Sequence, residues 1–244
     1  MSQLKEILIN KKNCKSVWFM RQAGRYLPEF RKIRLQNPNF IKLCLNSDLS
    51  SEITLQPIKR FNLDSAIIFS DILMVPFALG QKVSFIKDKG PKLENFDLKK
   101  IKDTDVNTFT KNLKPVYEAI KKTRDQLNEK KSLIGFIGAP WTLLIYMLNL
   151  KTSKEKLDYQ KVKLKKKEIA LILDMLNEFL CIHIENQINA GADVIQIFDS
   201  WAGLIDQEDL NDYCILPNSR IVDFCKKKNI PVICFPKGIG ENYK

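Results

Sequence analysis

Five short apolar runs punctuate the chain, at residues 17–20 (VWFM), 65–69 (SAIIF), 133–136 (LIGF), 194–198 (VIQIF) and 231–235 (PVICF). They are dense in Val, Ile and Phe and do not alternate with polar residues. Such runs predict strands covered on both faces, as in a parallel sheet. The stretches between them carry helical periodicity. One helix is expected to open at Ser50-Ser51-Glu52, with Ser50 or Ser51 as N-cap, and to run toward Phe61. Others are expected over 106–127, over 165–190 with a stop at Gly191, and over 211–228. Strands alternating with helices mean βαβ units with right-handed crossovers.

The residues that follow each run are polar or glycine-rich. They are Arg21-Gln22-Ala23-Gly24-Arg25-Tyr26, Ser70-Asp71, Gly138-Ala139-Pro140-Trp141-Thr142, Asp199-Ser200-Trp201-Ala202-Gly203 and Pro236-Lys237-Gly238-Ile239-Gly240. Chemistry therefore collects at the C-terminal end of every strand, where a (β/α)8 barrel builds its site. A doubly wound open sheet concentrates its site at one switch point instead. No Gly-x-Gly-x-x-Gly or Walker loop supports a nucleotide fold. The expected fold class is α/β, a TIM-type (β/α)8 barrel that is incomplete, with about five of eight βα units in one domain spanning residues 1–244.

Composition narrows the function classes. The 244 residues are 45% hydrophobic and 28% charged, ordinary for a globular chain. No window approaches the roughly 18–20 apolar residues of a membrane span, and the N-terminus lacks a signal-peptide layout, so the expected location is the cytoplasm. Six scattered cysteines contain no C-x-x-C pair and read mostly as small buried hydrophobes. The single histidine, His183, lies in a helical pattern without metal-ligand spacing and reads as structural, so no metal is expected. The net charge of +12 is carried by lysine runs, such as Lys163-Lys165-Lys166-Lys167 and Lys226–Lys228, without interleaved aromatics. They read as solvated helix faces rather than a nucleic-acid surface. Only seven of the forty basic residues are arginines, and two of the seven stand four apart at Arg21 and Arg25. A guanidinium offers a planar fork for a carboxylate or phosphate, whereas lysine offers a point charge. Ala23 and Gly24 let the backbone approach what the arginines hold. Asp71, directly after an apolar strand, reads either as a ligand acceptor or as an N-cap for the next segment. Tyr146, one turn after Thr142, reads as facing the barrel mouth or as an ordinary half-buried tyrosine. Asp199-Ser200 reads as ligand contact or turn chemistry, and Lys237 has no assigned role. These residues point to a barrel enzyme for an anionic, polycarboxylate ligand; they do not name the reaction.

Residues 18–28 (WFMRQAGRYLP) closely resemble the first signature of the uroporphyrinogen decarboxylase family. Residues 66–73 (AIIFSDIL), 135–143 (GFIGAPWTL) with Tyr146, and 196–203 (QIFDSWAG) resemble three further family segments in the same order. The resemblance implies a (β/α)8 barrel, a homodimer when full length, and uroporphyrinogen III as substrate. The reaction it implies removes carbon dioxide from four acetate arms to give coproporphyrinogen III without a cofactor. Carried over by position, Asp71 matches the central aspartate that accepts pyrrole N–H groups. Arg21 and Arg25 match carboxylate-binding arginines, with Arg21 also assisting proton transfer. Gln22, Ala23 and Gly24 line the same loop, and Tyr146 and Ser200 match substrate contacts.

The family pattern continues past Lys244 to a histidine in a Gly-His-Gly context. That motif does not occur here, and His183 does not match it. The expectation is a chain lacking its C-terminal part, which puts the activity of these residues alone in question. Two alternatives stay open. One is a corrinoid/thiol methyltransferase of the same barrel superfamily, whose His and Cys zinc ligands are not seen. The other is a non-catalytic remnant that binds a tetrapyrrole or nucleic acid.

Overall fold

The computed structural model describes residues 2–11, 13–86, 90–150 and 164–243. Met1, Lys12 and Lys244, and Lys163 of the lysine run, lie outside the described residues. Four strands form one parallel sheet: β1 (Ser65–Ile67), β4 (Ser132–Gly138), β5 (Val194–Asp199) and β6 (Val232–Pro236), in that spatial order. A two-stranded antiparallel hairpin, β2 (Val83–Ile86) and β3 (Gly90–Leu93), is inserted after β1.

The helices are α1 (Gln3–Asn10), α2 (Pro28–Gln36), α3 (Phe40–Cys44), α4 (Ser47–Phe61), α5 (Met74–Ala78), α6 (Leu98–Asp103), α7 (Val106–Gln126), α8 (Pro140–Met147), α9 (Lys166–Asn189) and α10 (Leu216–Lys227). Along the outside of the sheet α4 packs on α7, α7 on α9 and α9 on α10, the succession of a barrel wall. The strand period of two divides the core. Ile67, Ile134 and Val194 meet Leu4 on the inner face, while Leu133, Ile137, Ile195 and Ile197 face the helices.

Three expectations are corrected. Segment 17–20 is not a ladder strand; residues 17–19 have no regular structure and Met20 begins a turn. It touches β1 at its start, where Val17 N–H donates to Asp64 Oδ2 (2.6 Å) and Val17 C=O accepts from Asp64 N–H (2.9 Å). Further along, the Gln22 side chain takes the place of a neighbouring strand. Its Nε2 donates to Ser65 C=O (2.7 Å) and its Oε1 accepts from Ile67 N–H (3.1 Å). The helix expected from Ser50 begins earlier, because Asn46 caps it by accepting from Leu49 N–H (3.0 Å). Ser50 and Ser51 are buried instead; Ser50 Oγ donates to Leu43 C=O, and Ser51 Oγ accepts from Thr123 Oγ1. The helix expected over 211–228 is broken into a π-turn at Asn211–Ile215 followed by α10. Pro217 has no N–H to give the preceding turn, which loosens the ladder there. Helices α7 and α9 lie within a residue of expectation, and Gly191 stops α9 with φ +112°.

β1 leaves β4 early. Ile68 N–H still donates to Ile134 C=O (3.0 Å), but the next β4 residue facing that way, Phe136, finds no β1 backbone. Gln187 of α9 fills the position, accepting from Phe136 N–H and donating to Phe136 C=O, both at 3.0 Å. A Cβ on Gly135 would lie 2.5 Å from Gln187 Oε1, so glycine there makes room for this bridge. The wedge opened between β1 and β4 is where the candidate site begins.

Candidate active site

A solvent-open cavity of about 410 Å3 lies at the C-terminal end of the sheet. Ile67, Ile68, Phe136 and Phe198 give it an apolar floor, with the last two rings edge to face at 5.5 Å. Four further segments line it: Arg21, Gln22 and Ala23 after segment 17–20, Ser70 and Asp71 after β1, Tyr146 on α8, and Ser200 after β5. Residues far apart in sequence thus meet at one rim.

Asp71 lies four residues past the end of β1. Its Oδ1 accepts from Leu73 N–H (2.8 Å), and its C=O accepts from Met74 N–H (3.1 Å). It therefore starts the following turn, and its residue also lines the cavity. Surrounding protein strips water from the group and raises its pKa to about 6; the Leu73 N–H opposes that rise. Arg21 is exposed at the rim, its fork open to solvent. Gln22 is buried and its amide is committed to the β1 backbone; Tyr26 Oη donates to its C=O. Gly24 and Arg25 do not line the cavity. Arg25 is exposed beyond the rim, and its C=O accepts from Arg31 Nη1 (2.9 Å), which fixes the turn into α2.

Tyr146 and Ser200 are held together by a buried network. Asp199 Oδ1 accepts from Thr142 Oγ1 (2.7 Å), and its Oδ2 accepts from Asn218 Nδ2 (3.0 Å). Trp201 N–H donates to Thr142 Oγ1 (3.2 Å), and Ala139 N–H donates to Phe198 C=O (2.9 Å). Tyr146 packs edge to face on Trp201 at 6.0 Å. Asp199 is therefore a scaffold for the loop and not part of the rim. Phe85 and Pro91, from the hairpin, close the opposite wall. They were not foreseen; the Gly90-Pro91 dipeptide after Val83-Ser84-Phe85-Ile86 was the available turn signal. Among the described residues no group of three or more His, Cys, Asp or Glu could hold a metal. All six cysteines are free; Cys44, Cys214 and Cys225 are buried, and Cys14 and Cys234 are exposed.

The sequence matches the family model described as Uroporphyrinogen decarboxylase (URO-D) over residues 11–243. The chain belongs to the uroporphyrinogen decarboxylase family. A uroporphyrinogen decarboxylase of Orientia tsutsugamushi (strain Ikeda) is 45% identical over 241 residues, covering 95% of this chain and 68% of that protein. One of Chelativorans sp. (strain BNC1) is 41% identical over 230 residues, covering 93% and 67%. The chain thus spans about two thirds of these uroporphyrinogen decarboxylases. A methyltransferase from Methanosarcina mazei superposes with a TM-score of 0.70 over 93% of this chain and 67% of its own, at 18% identity. That likeness shows the fold, a TIM-type barrel incompletely spanned, and decides nothing about chemistry.

Proposed function

We propose that the chain acts on uroporphyrinogen III, removing carbon dioxide from its four acetate arms to give coproporphyrinogen III. The observation that carries the reading is a partly buried carboxylate, Asp71, with a raised pKa, in a cavity whose rim bears Arg21. Identity of 40–45% to relatives of that name supports it. In the reaction, a proton added to a pyrrole carbon beside the arm-bearing carbon makes the ring a cation. The C–CO2 electron pair flows into that cation, carbon dioxide leaves, and an exocyclic methylene remains. A proton taken up by the methylene gives the methyl, and loss of the ring proton restores the pyrrole. Each carboxylate thus consumes one proton net, and the ring itself is the electron sink, so the lyase chemistry as written uses no cofactor.

The protein must stabilise the ring cation and hold the arms. Asp71 accepts pyrrole N–H groups and faces the cation with its negative charge. Arg21 grips an acetate carboxylate, with Tyr146 and Ser200 supplying hydroxyls across the cavity. Arg25, beyond the rim, meets a distal arm of the same macrocycle. Ala23 and Gly24 keep the loop low enough for close approach. We extend the reading to a cytoplasmic homodimer; among the described residues no helix is long and apolar enough to cross a membrane. The test is anaerobic incubation with uroporphyrinogen, with porphyrin products separated after oxidation and binding measured in parallel. Saturable binding with stepwise loss of carboxylates is expected. A folded chain that binds no uroporphyrinogen overturns the reading.

A further inference from the structure

Behind Asp71 lies a second cavity, with about 10 Å3 of room for the centre of a water molecule. Ile68, Ser70, Asp71, Ile72 and Phe136 border both cavities and so form the partition between them. The rear wall includes His183 and Gln187 of α9 and Val116 of α7. The cavity occupies the wedge where β1 has left β4 and Gln187 bridges Phe136.

A space of this size takes one water, provided two to four polar groups meet it. Ser70 offers a hydroxyl. Asp71 keeps acceptor capacity beyond the bond from Leu73 N–H. His183 is only 5% exposed, and its Nδ1 lies 3.1 Å from Tyr117 Oη. The direction of that hydrogen bond follows the imidazole tautomer. With Tyr117 Oη as the donor, the ring proton sits on Nε2, the nitrogen that Tyr117 does not engage. Burial also keeps the imidazole neutral, with its pKa pulled down to about 3.

We propose that this cavity holds one water that accepts from His183 Nε2–H and donates to the Asp71 carboxylate, making His183 a positioning residue for Asp71. A donor behind the carboxylate favours its charged form and fixes its orientation toward the substrate cavity. The other titratable groups around the pair are the Cys44 thiol of α3, Arg21 at the rim, Tyr146 of α8 and, behind His183, Tyr117 of α7. The catalytic meaning rests on the decarboxylase reading; the water and the tautomer do not.

The test therefore uses readouts that need no turnover. In the native chain, long-range proton–nitrogen spectra of His183 are expected to show a protonated Nε2 and a bare Nδ1, with a cross-peak from the ring to a bound water. A protonated Nδ1 overturns the proposal. With 13C-labelled aspartate, the Asp71 carboxyl is expected to titrate about one pH unit higher in His183→Phe than in the native chain. Val116→Leu fills the cavity with His183 intact and is expected to give the same rise. An unchanged Asp71 titration in either folded variant overturns the proposal. If His183→Phe does not fold, the tautomer and Val116→Leu decide. A chain that binds no uroporphyrinogen but passes these tests loses only the catalytic meaning.

Discussion

In the proposed reading Arg21 and Asp71, which both line the cavity, divide the work, one gripping the substrate and one answering its charge. Arg21→Lys keeps the charge but loses the planar fork. Uroporphyrinogen binding is expected to weaken roughly tenfold, about 1.4 kcal/mol, in an equilibrium titration. Unchanged affinity would remove the clamp. Asp71→Asn keeps the shape and the acceptor for Leu73 N–H but loses the negative charge. Turnover is expected to fall at least ~100-fold with the fold intact; near-normal turnover in a single-turnover assay would sink its assigned role. At this scale the sequence was legible where chemistry forced a residue type. Arg21, one of few arginines among many lysines, and Asp71, a carboxylate after an apolar strand, both line the cavity. What Arg25 and Gln22 do was not legible, since both depend on where a turn points. Gln22 spends its amide on β1, and Arg25 faces out beside Arg31.

At the scale of elements, the site depends on how strands end. Parallel strands with both faces covered read clearly from β4 and β5, and helices α7 and α9 read clearly from their period. Segment 17–20 reads as a strand because it is apolar, yet Val17 and Phe19 are exposed and a side-chain amide stands in for its ladder. The hairpin has no apolar run to mark it, because its second strand reads Gly90-Pro91-Lys92-Leu93. One joint carries a sharp prediction. Gly191 lies at φ +112°, and a Cβ there would come 2.8 Å from Arg124 Cγ. Arg124 is occupied: it donates to Leu127, Asn128 and Lys131 carbonyls and pairs with Asp193 at 2.9 Å. Asp193 in turn accepts from Leu133 N–H, at the start of β4. Gly191→Ala is expected to cost about 1–3 kcal/mol in denaturant unfolding through the backbone conformation and the displaced guanidinium. A loss below about 0.5 kcal/mol would mean the α9–β5 turn relaxes freely.

For the whole molecule, a buried histidine and a partly buried aspartate with opposite shifts shape stability against pH. His183 takes a proton near 6.5 when unfolded but only near 3 when folded, so it makes stability fall as pH drops between those values. Asp71 does the reverse. Its folded pKa of about 6 stands above the unfolded 3.8, so its contribution is full below about 3.8 and lost as pH rises through 6. Between about pH 4 and 6 the two slopes, each roughly 1.4 kcal/mol per unit, oppose each other. Asp71→Asn removes one of them. The variant is expected to exceed the native chain by up to about 3 kcal/mol at pH 7.5, because a desolvated charge is gone. That advantage shrinks as pH falls and vanishes near pH 4, where the native carboxyl is protonated anyway. Urea unfolding at five pH values on both chains measures it. Parallel curves across the range would mean that Asp71 is well hydrated in the folded state, and the charge placed against the substrate cation would then be a screened one. A converging pair would show that the fold gives up stability at neutral pH to keep a partly desolvated carboxylate where the proposed reading puts the cation.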